Sequence, residues 1–159
     1  MLTLAQRAKA FAIEAHKDQK YGERDYSFHL EGVVINIVER NSDNPMLQTL
    51  IAIAWLHDVV EDTDVTVEQL EREFGLCIAL AVKTLSKLEG QEYKNYMLEC
   101  CKSALAREVK ICDTMFNLQQ SFLNNREKGM KKYPEQLAIL AAGHWDNELL
   151  FYKEEECQA

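Results

Sequence analysis

Apolar residues recur every three or four positions along most of the chain, and alternating strand patterns are rare. This spacing places the apolar side chains on one face of an α-helix. Only six glycines and two prolines interrupt it. The pattern therefore predicts an all-α fold, a helical bundle of six to nine helices.

Residues that commonly cap or stop helices bound the predicted elements. Thr3 with Gln6 and Thr66 with Gln69 match capping boxes, and Ser103 can cap a further helix. Asn44 is the predicted N-cap before Pro45. The predicted helices cover about 4–19, 30–40, 46–60, 66–74, 76–86, 93–101 and 103–123, and a last one ends near 152. The segments KYGERDYSF and NNREKGMKKYP are predicted to be a loop and a polar connector.

Length and composition indicate one folded domain. The chain has 159 residues, of which 47% are hydrophobic and 28% charged, and this is enough to bury a core. No repeat or linker-like segment divides it. We therefore expect a single domain over 1–159, with a core of about 3–152 and an acidic tail at 153–159.

Charge and cysteine content narrow the functional classes. The formal net charge of -8 argues against a nucleic-acid-binding surface, which would be basic. No apolar run approaches the roughly 20 residues that span a bilayer, and the charged N-terminus does not fit a signal peptide. Five cysteines without a CxxC pair favour reduced thiols in a cytoplasmic protein. The oligomeric state stays open.

Candidate chemistry concentrates in WLHDVVEDT, near the end of an apolar helix. Residues four apart share a helix face, so His57 lies above Glu61 and Asp58 above Asp62. An imidazole nitrogen beside a carboxylate oxygen suits Mn²⁺, Fe²⁺, Co²⁺ or Zn²⁺. Two such residues cannot complete a metal site, so other segments must contribute ligands.

Two further residues are candidates for that contribution. His29 lies where a loop enters a helix, and Asp113 lies inside the otherwise apolar run VKICDTMFNL. A carboxylate in a packed helix needs a partner, either a metal ion or a cation such as Lys110. Asn117 is one turn further and shares the face of Asp113.

Each feature also has an ordinary structural explanation. The EDTD stretch is consistent with a helix end that carries solvated carboxylates. Isolated histidines such as His16 and His144 are more often surface or hydrogen-bonded core residues. From spacing alone, the metal site and these explanations both remain open.

The motifs YSFH, WLHDVVEDT and VKICDTMFNL, in this order, resemble the HD-domain phosphohydrolases. The similarity is greatest to the hydrolase domain of RelA/SpoT-type alarmone enzymes and to small stand-alone alarmone hydrolases, and it spans about residues 5–123. It implies an HD helical fold and a metal-dependent phosphohydrolase acting on a phosphorylated nucleotide. The specific activity implied is that of a guanosine-3′,5′-bis(diphosphate) 3′-pyrophosphohydrolase.

The resemblance also assigns roles to residues of this chain. The implied ligands of one divalent ion, usually Mn²⁺ in the family, are His29, His57, Asp58 and Asp113. The implied catalytic pair, which holds and activates the attacking water, is Glu61 and Asp62. The implied substrate-binding residues are Asn117, Lys20 and Arg24.

Some positions depart from the family pattern, and these departures leave other substrates possible. Leu30 replaces a usual proline, and Thr114 replaces a common arginine or lysine. The family's basic pair before the first histidine is only partly matched, by Lys17, Lys20 and Arg24. The alternatives are a nucleotidase or phosphatase acting on a deoxynucleoside monophosphate or NADPH, and a nucleotide-sensing module without turnover.

Four residues outside the motifs are candidates for lining a nucleotide pocket. They are Tyr93, Tyr96, Lys132 and Tyr133. Packing on amphipathic helices explains them equally well.

Overall fold

A computed structural model describes residues 2–143 of the chain, and in this range it contains nine helices and one two-stranded hairpin. The elements are α1 (Leu4–Ala15), β1 (Lys20–Tyr21), β2 (Arg24–Asp25), α2 (Ser27–Arg40), α3 (Leu47–Leu56), α4 (Val59–Asp62), α5 (Val67–Phe74), α6 (Leu76–Leu85), α7 (Tyr93–Cys101), α8 (Ala104–Leu123) and α9 (Glu127–Ala142). The all-α prediction is confirmed. The predicted helix end near 152, His144 and the tail lie outside the described residues.

The predicted capping residues begin three helices. The Thr3 hydroxyl accepts a hydrogen bond from the Gln6 backbone N–H, and the Gln6 side chain accepts one from the Thr3 N–H, which completes a capping box before α1. The hydroxyls of Thr66 and Ser103 cap α5 and α8 in the same way, each accepting from the third residue on. At these three helices, hydrogen bonds between residues three positions apart mark where the helix begins.

The N-terminal boundaries differ from the prediction in the loop that follows α1. Helix α1 ends at Ala15 rather than near 19, and α2 begins at Ser27 rather than at 30. The intervening segment forms an antiparallel hairpin in which Tyr21 pairs with Arg24 around Gly22, whose φ is +64°. Glycine adopts this left-handed conformation without strain, so the turn can be tight.

Asn44 caps the start of α3 less directly than predicted. Its side-chain oxygen accepts a hydrogen bond from the Met46 N–H at 2.8 Å, and α3 begins one residue later, at Leu47. Side-chain capping by asparagine is thus present, although the regular helix starts beyond the predicted residue.

The predicted helix over 46–60 is interrupted at His57 and Asp58. The Nδ1–H of His57 donates to the carbonyl of Ala54 at 2.8 Å. In a continuous helix that carbonyl would accept from the N–H of Asp58. The imidazole binds this acceptor at the point where α3 ends, and α4 follows as a single turn that carries Glu61 and Asp62.

The prediction of a polar connector at NNREKGMKKYP is wrong for most of its length. Helix α9 begins at Glu127 and continues through Pro134. Gly129 lies so close to α8 that a Cβ there would overlap the side chain of Ser121. The glycine thus permits close packing of α9 on α8, and this tertiary contact outweighs the local breaking tendency of glycine and proline.

Helix α3 forms the centre of the core and packs against α1, α2, α6 and α8. Its residues from Ala52 to Leu56 are all buried, which explains why the C-terminal half of this helix has no polar face. Gly32 on α2 brings α2 against α8, because a Cβ at that position would overlap the Phe116 ring. Among the helices of residues 2–143, none combines the length and the apolar character needed to cross a bilayer.

Candidate metal centre and carboxylate pair

Three helices deliver four His and Asp side chains to one point in the core. His29 lies in the first turn of α2, His57 and Asp58 occupy the break after α3, and Asp113 lies in the middle of α8. We call these four residues the donor cluster. His29, His57 and Asp113 are buried, and the Asp58 side chain is 17% exposed. The convergence depends on α2, α3 and α8 packing against one another.

The donor atoms face each other at short distances. The Nε2 atoms of His29 and His57 are 3.2 Å apart. Asp58 Oδ2 lies 3.0 Å from His57 Nε2 and 3.3 Å from His29 Nε2. Asp113 Oδ1 lies 3.4 Å and 3.8 Å from the same two nitrogens of His29 and His57. Donor atoms of His29, His57 and Asp113 all lie within 4.8 Å of one another, a spacing that can hold one metal ion.

The tautomer of His57 favours a cation at this point. Its Nδ1 must carry the hydrogen that it donates to the Ala54 carbonyl, so in the neutral ring Nε2 presents a lone pair to His29. Two imidazole nitrogens at this separation need a proton or a metal ion between them. The buried Nδ1 of His29 has no hydrogen-bond partner among the described residues. Two nitrogen and two oxygen donors fit a divalent ion of the Mn²⁺ to Zn²⁺ series.

Without an ion, the carboxylates of Asp58 and Asp113 favour the protonated ring of His57. Burial lowers the pKa of His57, but the charges of Asp58 and Asp113 outweigh burial and raise this pKa from 6.5 to about 9. Burial opposes ionisation of Asp58, yet His57 and His29 hold the pKa of this carboxyl well below its usual range. A metal ion entering the cluster therefore competes with a proton for His57.

Asp113 is fixed by contacts from its own helix. Its Oδ2 accepts from the Lys110 ammonium at 2.9 Å, and its Oδ1 accepts from Asn117 Nδ2 at 2.6 Å. Lys110 is thus the ion-pair partner that the sequence suggested, while Oδ1 still faces the histidines. Burial raises the pKa of Asp113, but Lys110 and the two histidines outweigh burial and keep the pKa lowered.

The carboxylate pair, Glu61 and Asp62, lies on α4 beside the donor cluster and is exposed. Glu61 Oε2 accepts from the backbone N–H of Lys87 at 2.9 Å, and Asp62 Oδ2 accepts from Gln19 Nε2 at 2.9 Å. Partial burial raises the pKa of Glu61. Both residues line an open cleft of about 830 Å³, so water reaches them.

Two tyrosines in the predicted loop contact the donor cluster and were missed by the sequence reasoning. The Tyr26 hydroxyl donates to Asp58 Oδ2 at 2.6 Å. The Tyr21 ring stacks on His29 with centroids 5.1 Å apart, and its hydroxyl donates to Asn117 Oδ1 at 2.9 Å. The sequence signals were the two aromatic residues in a segment predicted to be a loop, and the position of Tyr26 at the start of the YSFH motif.

The basic residues predicted to bind substrate do not contact the donor cluster directly. Lys20 pairs with Asp25 across the hairpin, and the Arg24 guanidinium lies over the Phe28 ring at 4.1 Å from its centroid. The hairpin nevertheless carries Tyr21 against His29. Lys20 and Arg24 therefore lie on the element that covers one side of the cluster.

The four residues suggested for a nucleotide pocket divide into two kinds. Tyr96 is buried, and its hydroxyl donates to the Leu85 carbonyl, so this residue is part of the core. Lys132 lies over the rings of Tyr93 and Tyr133, with its Nζ at 5.0 and 5.4 Å from their centroids. Tyr93 on α7 and Tyr133 on α9 are partly buried, and Lys132 is exposed.

Comparison with known proteins identifies relatives named as pyrophosphohydrolases of guanosine bis(diphosphate) and others named as GTP pyrophosphokinases. No model of a protein family matches the chain. The chain is 30% identical over 145 residues to a guanosine-3′,5′-bis(diphosphate) 3′-pyrophosphohydrolase of Aquifex aeolicus, in a match that covers 86% of this chain and 20% of that protein. It is 34% identical over 118 residues to a protein of the same name from Danio rerio, covering 69% of this chain and 64% of the relative.

A solved structure shares the fold. It is described as a metazoan orthologue of SpoT that hydrolyses ppGpp, and it superposes with a TM-score of 0.74 at 22% identity over 88% of this chain and 86% of that chain. This likeness supports the HD helical fold. The chain spans about a fifth of the Aquifex aeolicus relative and just under two thirds of the Danio rerio relative.

Proposed function

We propose that this chain, a relative of the HD-type (p)ppGpp hydrolases, is a metal-dependent 3′-pyrophosphohydrolase of guanosine 3′,5′-bis(diphosphate). The observation that carries the proposal is the donor cluster with a water-accessible carboxylate pair beside it. A binding module has no need of such a pair. The reaction would add water across the bond between the 3′ oxygen and phosphorus, and release pyrophosphate and GDP.

The donor cluster would hold one divalent ion, and we propose Mn²⁺. A bound ion of this kind lowers the pKa of water and offers positive charge to a phosphoryl oxygen. The residues of the chain prepare this site in advance. Lys110 and Asn117 fix the two oxygens of Asp113, and the Ala54 carbonyl fixes the ring of His57, so little reorganisation is needed on binding.

Glu61 is the proposed acceptor of the proton from the attacking water. Its raised pKa brings it nearer the working pH, which makes it a better general base than an unperturbed carboxylate. The Lys87 N–H holds one of its oxygens. Asp62, on the same turn, would orient the same water, so the two carboxylates act as a pair.

The substrate would lie between the hairpin and α8. Asn117 is proposed to contact the nucleotide, with its amide already oriented by Tyr21 and Asp113. Lys20 and Arg24 are proposed to neutralise phosphate charge. The protein has a net negative charge, so positive charge for the phosphates must come from individual residues near them. Lys20 would exchange its partner Asp25 for a phosphate.

The test is turnover of ppGpp by the full chain with and without Mn²⁺, beside a panel of nucleoside monophosphates and NADPH. Asp58→Asn should lose bound metal and turnover, because the amide lacks the ligand charge at nearly the same size. Asp43→Asn is the matched control: it makes the same change at an exposed position between α2 and α3. We expect pyrophosphate and GDP from wild type and Asp43→Asn only.

Three other outcomes would change the proposed substrate, activity or metal site. Phosphate released from a different nucleotide would keep the metal chemistry and change the substrate. Stoichiometric metal without turnover of any nucleotide would indicate a sensing module. A wild-type protein that binds no divalent ion would contradict the proposed role of the donor cluster.

A further inference from the structure

A hydrogen-bonded chain connects the end of α1 to the carboxylate pair. His16 Nδ1 lies 2.7 Å from Gln19 Oε1, and Gln19 Nε2 donates to Asp62 Oδ2 at 2.9 Å. The His16 side chain is buried and hydrogen-bonded, which is one of the two environments expected for it. Its ring stacks on Tyr26 with centroids 4.6 Å apart. The first helix therefore reaches Asp62 through two side chains.

The directions of these hydrogen bonds follow from the charge of Asp62. An ionised carboxylate only accepts, so Gln19 must turn its NH₂ group towards Asp62 and its carbonyl towards His16. The Nδ1 of His16 must then carry the hydrogen. Its buried Nε2 has no partner among the described residues, which fits a neutral ring with a lone pair there. Burial also lowers the pKa of His16 and so favours the neutral ring.

Asp62 needs an external support of this kind because its own element supplies little. It is the last residue of α4, a helix of four residues, and Thr63 after it is already extended. An exposed carboxylate at a helix end samples several rotamers, whereas catalysis requires one. Gln19 is 43 positions away in sequence, so the contact joins two distant segments that both line the cleft.

We propose that His16 and Gln19 are positioning residues that orient Asp62 for the reaction, an inference that rests on the proposed function. His16 orients the Gln19 amide, and the amide holds Asp62 Oδ2. Neither residue touches the reacting atoms. Loss of either should therefore lower kcat through Asp62 and leave the donor cluster able to bind its ion.

The first experiment reads the hydrogen bonds without turnover. The ¹⁵N spectrum of the His16 ring in the full-length protein shows which nitrogen carries the hydrogen at neutral pH. We expect Nδ1–H in wild type, and loss of this preference in Gln19→Leu. Hydrogen on Nε2 in wild type would overturn the proposal, because Nδ1 could not then donate to Gln19.

The second experiment is a double-mutant cycle on kcat with Gln19→Leu and Asp62→Asn in excess Mn²⁺. Gln19→Leu should lower kcat by about tenfold or more, with unchanged metal content, since misplacing a catalytic group by about 1 Å can cost 10²-fold. In the Asp62→Asn background it should have no further effect. Equal effects in both backgrounds, or full kcat in Gln19→Leu, would overturn the proposal.

Two His16 variants separate positioning from packing. His16→Phe keeps a ring to stack on Tyr26 but removes the donor, and His16→Asn places an amide N–H near the Nδ1 position. We expect kcat to fall in His16→Phe and to be largely retained in His16→Asn. The reverse order would assign His16 to packing and overturn its positioning role. If wild type turns over no nucleotide, the proposed function fails, and the His16 tautomer alone decides whether the network exists.

Discussion

The donor cluster and the carboxylate pair lie next to each other but are built in opposite ways. The cluster draws on three long helices, and each of its side chains has several partners inside the protein. The pair lies on the single turn α4, and its two members are each anchored by one distant donor, from Lys87 and Gln19. One region is buried, and the other opens to water.

This difference fits the two chemical tasks that we propose for the regions. A metal site needs fixed, desolvated ligands whose charges compensate one another. A group that takes a proton from water must keep contact with solvent and a pKa near the working pH. Substitutions in the cluster should therefore change metal binding and stability together. Substitutions in the pair should change kcat alone.

The largest effect is expected for Asp113→Asn. It removes a proposed metal ligand and leaves the nearly buried Lys110 ammonium without its partner. Breaking a buried ion pair costs about 3–5 kcal/mol, so urea unfolding should show a loss of about that size, together with loss of bound metal measured by elemental analysis.

A second substitution separates the two consequences of Asp113→Asn. Lys110→Met in the same chain removes the unpaired charge, and it should restore most of the stability while metal binding stays lost. Retention of one metal ion by Asp113→Asn would contradict the assignment of this residue to the donor cluster.

Glu61→Gln should show the contrasting behaviour of the carboxylate pair. Loss of a general base lowers the rate by about 10²- to 10⁴-fold, while a substitution at an exposed position changes stability by only about 0.5 kcal/mol or less. Steady-state kinetics, metal content and urea unfolding should be measured on one preparation. Glu71→Gln, exposed on α5, is the matched control. Loss of bound metal in Glu61→Gln would contradict the expectation that substitutions in the carboxylate pair change kcat alone.

The stability of the metal-free protein should fall as pH rises from 6.5 to 9. The folded-state pKa of His57 is raised from 6.5 to about 9, so the stabilisation from its charged form is fully present below 6.5 and is lost as pH passes about 9. Since one pKa unit corresponds to about 1.4 kcal/mol, the contribution is at most about 3–4 kcal/mol. Thermal unfolding in EDTA across this range measures it.

In the presence of Mn²⁺, stability should instead rise with pH, because protons and the ion compete for His57 Nε2. Apparent Mn²⁺ affinity should rise with pH over the same interval. His57→Asn is the control, since its amide can still donate to the Ala54 carbonyl but carries no titrating nitrogen. A metal-free melting temperature that rises with pH in wild type and not in His57→Asn would exclude the charged His57.

Sequence reasoning succeeded where the signal is local. The cap at Ser103 and the apolar spacing after it were sufficient to predict α8 with correct bounds. It failed for the first half of α9, because Gly129 and Pro134 break helices locally, while close packing against Ser121 is a tertiary property. A composition rule cannot distinguish a glycine that ends a helix from one that admits a neighbour.

The candidate site shows the same division. The positions of the four donors could be predicted because their motifs are compact, and the structure brings their side chains together; their metal-binding role remains a proposal. The supporting contacts could not be predicted. Tyr21 and Asn117 are 96 positions apart, and no pattern along the chain indicates that such residues meet.

The smallest expected effect comes from Gly32→Ala, which tests whether packing alone supports the donor cluster. Alanine favours a helix over glycine by about 1 kcal/mol, but its methyl group would overlap the Phe116 ring. That ring lies 5.4 Å from the His29 ring, centroid to centroid. Overpacking typically costs about 1–3 kcal/mol, so we expect a modest net loss of stability and weaker metal binding through a displaced His29.

The matched variant Gly32→Ala with Phe116→Leu should restore both properties, because the smaller side chain leaves room for the added methyl group. Urea unfolding and Mn²⁺ titration of wild type, the single variants and the double variant form a complete cycle. Stability and metal affinity should recover together, since both depend on the position of one ring. The carboxylate pair does not contact this ring, so Gly32→Ala with its metal site saturated should keep the wild-type kcat. A fall in kcat at saturating metal would show that packing of α2 on α8 also orients the carboxylate pair. The donor cluster and the pair would then depend on the same helix packing.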